Sequence, residues 1–162
     1  RHSKGIQDLI KAVAVLEEDI KNQIQIDVYG EGPYEKELLE MNKGNNLEGI
    51  IHFKGGSSQL NELLSNYRYL LQPTYMECFS LSILESLAAN VPVITTPVGG
   101  NLEIIQHGQN GFVFGTKEYL ALAEIIKNIV LGDIKIDKKV SEQIEKDFNL
   151  EKMVNEHIGL LN

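Results

Sequence analysis

Leu71-Gln72-Pro73-Thr74-Tyr75-Met76-Glu77-Cys78-Phe79-Ser80-Leu81-Ser82-Ile83-Leu84-Glu85 is the stretch from which the fold is read. An apolar run stops at Pro73, a polar loop follows, and a helix is expected to begin near Ser80. Glu77 stands in the loop and Glu85 inside the helix, with seven residues between them. Helical side chains lean toward the N-terminus, so Glu85 is expected to point back up toward the loop. The first N–H groups of a helix lack intrahelical partners and favour anions. Carboxylates accept hydrogen bonds from hydroxyls. The stretch therefore reads as a polyol-and-phosphate site above a strand end. The plainer alternative is two solvated glutamates, one of them a dipole partner near a helix start. A glycoside-hydrolase acid/base pair also fits the spacing, but that chemistry needs a set carboxyl separation that spacing does not give.

Working outward, strands and helices alternate. Upstream, Ile6, Leu9, Ile10, Val13 and Leu16 recur at helical spacing and predict a helix from Ile6 to Glu18. A strand is expected over 24–29, closed by Gly30-Glu31-Gly32-Pro33, with Pro33 at the first position of the next helix. A strand over 49–53 precedes a helix capped by Ser58. A strand over 69–72 leads into the opening stretch. Downstream, strands are expected over 91–95 and 111–114, with a short helix around Leu102 to Gln106 between them. Helices follow around 122–129, 138–146 and 150–161. Such alternation with short connections predicts parallel strands, right-handed crossovers and a doubly wound, Rossmann-like α/β sheet that binds ligands at its carboxyl edge.

With 162 residues and no internal linker, residues 1–162 read as a single domain. A strand should precede Gly5 as crossover partner for the first helix. Its absence makes the chain read as truncated at its N-terminus. The net charge of −8 argues against a nucleic-acid surface. No apolar run reaches the roughly 18 residues of a membrane span. The single cysteine, Cys78, excludes an internal disulfide and fits a reducing compartment. One cysteine and four histidines give no metal-ligand spacing.

Other candidates carry two readings each. Lys4 before Gly5 is either a phosphate point charge or a solvated lysine. Gly30-Glu31-Gly32 is half of a dinucleotide fingerprint without its third glycine, and reads better as a tight turn admitting a ligand to the backbone. Cys78 lies near a helix start with no base beside it, which favours a small loop-filling residue over a reactive thiol. Gly99-Gly100 with Glu103 either turns its N–H groups to a phosphate or is an ordinary glycine turn.

The run from Pro73 to Phe114, with Glu77-x7-Glu85, the Asn90-x-Pro92-Val93-Ile94 strand, Gly99-Gly100 and Asn110-Gly111, resembles the donor-binding half of group 1 (family four) retaining GT-B glycosyltransferases. Lys4-Gly5, Gly30-x-Gly32 and Phe53-Lys54-Gly55 fall in the family's order. The resemblance implies that Glu77 contacts hydroxyls of a donor sugar and that Glu85 holds the nucleotide ribose. It makes the backbone of Cys78, Phe79, Ser80 and Leu81 the sugar-and-diphosphate cradle, and Gly30, Gly32, Phe53 and Lys54 the nucleoside pocket. Lys4 would neutralise the leaving diphosphate. The family pairs that lysine with an arginine five residues earlier. Arg1 lies three earlier, so the partner is Arg1 or a residue upstream. Cys78 and Ser80 replace family glycines.

The implied protein is a metal-independent transferase without a cofactor, acting in polysaccharide biosynthesis. It would take a hexose-type sugar from a UDP- or GDP-sugar to a glycan or lipid-linked acceptor. The acceptor, and any membrane contact, would be met through an N-terminal domain that this chain lacks. Location would be cytoplasmic or peripheral at the inner membrane face. The isolated chain would bind nucleotide weakly and not turn over. A nucleotide-sugar epimerase, a phosphorylase and a non-catalytic nucleotide-sugar module remain open on the same architecture.

Overall fold

Strand–helix alternation does give parallel pairing. In the computed structural model, which describes residues 2–137 and 139–142, every strand pair is parallel. The strands form two sheets, one of order β1-β2 and one of order β3-β4-β5. By its contacts the chain divides into two compact units. Of the described residues, the first holds 2–58, 73–76 and 114–135, the second 59–72, 77–113, 136–137 and 139–142.

In the first unit a 3-10 turn, His2–Lys4, precedes α1, Ile6–Ala14. Next come α2, Glu18–Lys21, β1, Ile26–Tyr29, α3, Glu35–Gly44, and β2, Ile51–Gly55. The unit's last helix, Tyr119–Leu131, is named α7 by chain order and ends on Gly132 in the left-handed region. The apolar stripe of α1 buries Leu9, Ile10 and Val13, and that of α7 buries Leu122, Ile126 and Ile129. These two helices pack on each other.

The second unit contains α4, Leu60–Leu63, a 3-10 turn, Leu64–Asn66, and β3, Leu70–Gln72. It continues with α5, Leu81–Ala88, β4, Val93–Thr95, α6, Asn101–Ile104, and β5, Gly111–Val113. Val93 and Ile94 in the central strand β4 are buried, as are Ile83, Leu84 and Leu87 of α5. A strand covered on both faces should read as a continuous apolar run, as Val91-Pro92-Val93-Ile94 does.

Several boundaries differ from expectation. The first helix breaks after Ala14: Leu16 bonds to Val13 O at 3.1 Å, and Glu17 is extended before α2 resumes. Pro33 lies outside α3, in a turn closed by Glu35 N–H to Gly32 O at 3.1 Å. Gln59, not Ser58, sits at the cap position of α4. The strand expected over 49–53 is shifted to Ile51–Gly55, because Leu47 O captures the N–H groups of Ile50 and Ile51 in a turn. The helix expected over 150–161 lies outside the described residues, as does that over 138–146 apart from helical residues 140–142.

Candidate functional site: an acidic loop at a helix start

The second unit holds the core of the opening stretch. Ser80 is the N-cap of α5, with extended backbone and its Oγ accepting the Ile83 N–H at 3.3 Å. Ser80 is buried, so its remaining valences need partners, and the Gln72 side-chain amide meets them at 2.9 and 3.0 Å. Gln72 ends β3, and its carbonyl accepts the Thr95 hydroxyl of β4 at 3.0 Å. The junction between strand end and helix start is thus tied to two adjacent strands. Glu85 lies half-buried in α5, and Asn61 Nδ2 stands 3.4 Å from its Oε1.

Glu77 and Cys78 are braced from behind by the Gly99-Gly100 turn. Gly99 has φ +54°, and a Cβ there would fall 1.7 Å from Glu77 O. Only glycine satisfies both the conformation and the approach. The Gly100 N–H donates to Cys78 O at 3.1 Å. That bond engages on the loop one of the two N–H groups that the Gly99-Gly100 turn could turn to a phosphate. Glu77 is half-buried and Cys78 exposed. Among the described residues, no three His, Cys, Asp or Glu side chains are grouped to hold a metal ion.

The first unit holds the remaining candidates. Lys4 is exposed at the end of the 3-10 turn before α1. Gly5 follows at φ +70°, where a Cβ would fall 1.7 Å from Pro73 O. The Gly30–Gly32 turn and the end of β2 lie side by side, with Gly30 N–H donating to Gly55 O at 2.9 Å. Glu31 Oε1 also accepts the Gly56 N–H at 3.3 Å. Phe53 is half-buried. Lys54 Nζ lies 3.9 Å from Asp27 Oδ1, which also meets His52 Nδ1 at 3.3 Å. The two segments expected to form a nucleoside pocket are therefore neighbours at one carboxyl edge. Arg1 lies outside the described residues.

Sequence reading missed a polar cluster in this unit. Asp8 is only 3% exposed on an otherwise apolar helix face. The Tyr75 hydroxyl donates to Asp8 Oδ2 at 2.5 Å and accepts from Gln7 Nε2 at 2.7 Å. Burial, then Asp8, pushes the Tyr75 hydroxyl up to about 12. An acid in the first turn of α1 was the visible signal. Its partner lies 67 residues away.

Parallel strands with an acidic loop at a strand's carboxyl end, set before a capped helix, are those of an α/β domain built to take ligands at its carboxyl edge. The chain matches the family model of glycosyl transferases group 1 over residues 1–147 and belongs to that family. It is 28% identical over 161 residues to an N-acetyl-alpha-D-glucosaminyl L-malate synthase of Bacillus anthracis, covering 97% of this chain and 42% of that protein. It is 32% identical over 111 residues to the lipopolysaccharide glucosyltransferase WaaG of Escherichia coli, covering 68% of this chain and 29% of that one. The chain thus spans less than half the length of these relatives. Among solved structures, the apo lipopolysaccharide outer core galactosyltransferase WaaB has a TM-score of 0.82 at 18% identity, covering 99% of this chain and 46% of that one. Anabaena HepE in complex with UDP has a TM-score of 0.80 at 23% identity, covering 98% and 46%. These last two likenesses speak for the fold. No helix among the described residues is long and apolar enough to cross a membrane.

Proposed function

We propose that this chain is the donor-binding part of a retaining, metal-independent glycosyltransferase. It takes a hexose-type sugar from a UDP- or GDP-sugar toward a glycan or lipid-linked acceptor. The observation that carries this reading is the Ser80 cap, which fixes the start of α5 between Glu77 and Glu85. In the reading, Glu85 accepts hydrogen bonds from ribose hydroxyls and Glu77 from hydroxyls of the sugar. The first N–H groups of α5 meet the diphosphate. Lys4 adds a cation where charge develops on the leaving group, the place where electrostatic stabilisation lowers a barrier. Gly30, Gly32, Phe53 and Lys54 line the base. Because Ser80 and Cys78 are small, they leave backbone donation in the loop open. HepE has been solved with UDP and with UDP-glucose, which supports trying uridine nucleotides first.

Titration with UDP, GDP and their glucose conjugates tests the reading. A ligand at 100 times its dissociation constant should add roughly 2.7 kcal/mol of stability, easily seen in a thermal shift. Glu85→Ala should weaken binding about tenfold, as for the loss of a charge-assisted hydrogen bond. Absence of binding by all four would favour a scaffold module instead. The chain alone is expected to bind without multiple turnover, and sustained transfer by it would refute that part.

A further inference from the structure

Resting on the assignment of Lys4 to the donor's diphosphate, we propose that Tyr75 and Asp8 are positioning residues for Lys4. Together they tether the turn that carries the lysine and so set the affinity for the diphosphate.

The tether has three strands of evidence, all within the first unit. The segment Thr74-Tyr75 grips the backbone next to Lys4: Tyr75 N–H donates to Ser3 O at 2.7 Å, and the Thr74 hydroxyl lies 3.1 Å from the same oxygen. On the other side of Lys4, Gly5 meets Pro73 O so closely that no side chain fits. The Tyr75 ring then locks this arrangement to α1. Its hydroxyl is shared by buried Asp8 and Gln7, and Gln7 Nε2 also reaches His2 O at 2.9 Å. His2 and Lys117 flank the ring, the first edge-on at 5.9 Å and the second with its ammonium 5.3 Å from the centroid. The backbone on both sides of Lys4 is thus fixed while its side chain is exposed.

The chemistry explains why an acid is buried there. A carboxylate removed from water is costly unless it is hydrogen-bonded. Asp8 has the Tyr75 hydroxyl, with Lys11 Nζ at 4.0 Å and the start of α1 as weaker support. A lysine held by its backbone loses less freedom on binding phosphate than one on a loose turn, which is how preorganisation raises affinity. Tyr75 itself touches no donor group in this scheme.

The test compares UDP with uridine, and GDP with guanosine, by calorimetry on the wild-type chain and on Lys4→Ala, Tyr75→Phe, Asp8→Asn and Asp8→Ala. The readout is the ratio of diphosphate to nucleoside affinity, which a general loss of stability would not move selectively. Tyr75→Phe is expected to lower the ratio about tenfold, in the range for coupled sites, and to add nothing further in the Lys4→Ala background. Asp8→Asn keeps an oxygen for the Tyr75 hydroxyl and should hold the ratio near wild type, while Asp8→Ala should lower it. If Lys4→Ala lowers the ratio but Tyr75→Phe does not, the tether is overturned and the donor reading stands. Should Tyr75→Phe fail to fold, an unchanged ratio in Asp8→Ala overturns the tether equally. A Lys4→Ala ratio equal to wild type overturns the tether and the role of Lys4, and a wild-type chain that binds neither diphosphate overturns the donor reading as well.

Discussion

Gly5 and Gly99 solve the same problem in two different units. Each has positive φ, and each would place a Cβ 1.7 Å from a carbonyl oxygen, that of Pro73 for Gly5 and that of Glu77 for Gly99. What they serve differs. Gly99 braces a loop held by one local contact, the Ser80 cap, and by the Gly100–Cys78 bond between two loops. Gly5 lets Pro73–Met76 close against the start of α1, where the locking side-chain contacts span 67 to 71 residues of sequence. The lesson is that a glycine's role is set by the backbone opposite it, and that backbone can be near or far in sequence.

The largest expected effect breaks both braces. Gly99→Ala and Gly5→Ala should each cost about 3 kcal/mol, combining left-handed strain with overpacking against rigid backbone. Gly30→Ala, at φ +126° with nothing within 4 Å, should cost only about 1–2 kcal/mol. Urea unfolding midpoints check the order, and equal losses at all three sites would dissolve the comparison.

Next comes the cap. Ser80→Ala should cost about 1–2 kcal/mol, because it frees the Ile83 N–H and strands the Gln72 amide. Ser80→Asp, which keeps a capping oxygen, should recover part of this in the same unfolding assay.

A smaller effect sharpens the long-range side. Burial and Asp8 raise the Tyr75 hydroxyl from about 10 in an unfolded chain to about 12. The folded state therefore holds that proton more tightly. The stability it contributes is complete below about pH 10 and is lost as pH rises toward 12. A phenolate absorbance titration should show a step near pH 12 that disappears in Tyr75→Phe.

The smallest effect belongs to the surface of the first unit. Lys127 Nζ reaches Glu17 Oε1 at 2.7 Å, and this hydrogen bond holds the Glu17 carboxyl below its usual range. Its contribution is present at neutral pH, fades as pH falls through the lowered value, and is screened by salt. Glu17→Gln should leave the urea midpoint at high salt unchanged.

Local signals made much of the fold legible. Ser80 before Leu81-Ser82-Ile83-Leu84 names a helix start because a capping hydroxyl acts over three residues. The buried β4 is legible as an unbroken apolar run, and α7 as an apolar stripe at helical spacing. The candidate residues Glu77, Ser80 and Glu85 stood out for the same reason, since one loop and one helix carry all three. Pro33 misled because a turn closed by Gly32 O delays α3, and Ser58 because Gln59 takes the cap position.

By itself, then, the sequence determined the parallel α/β alternation, the capped helix and the acidic pair, all set by periodicity and by interactions a few residues long. Only the tertiary structure decided that the strands fall in two sheets. Only there does Gly100 spend its N–H on Cys78, and only there does a buried Asp8 find Tyr75. These depend on which distant segment arrives within hydrogen-bonding distance, and nothing in local propensity encodes that.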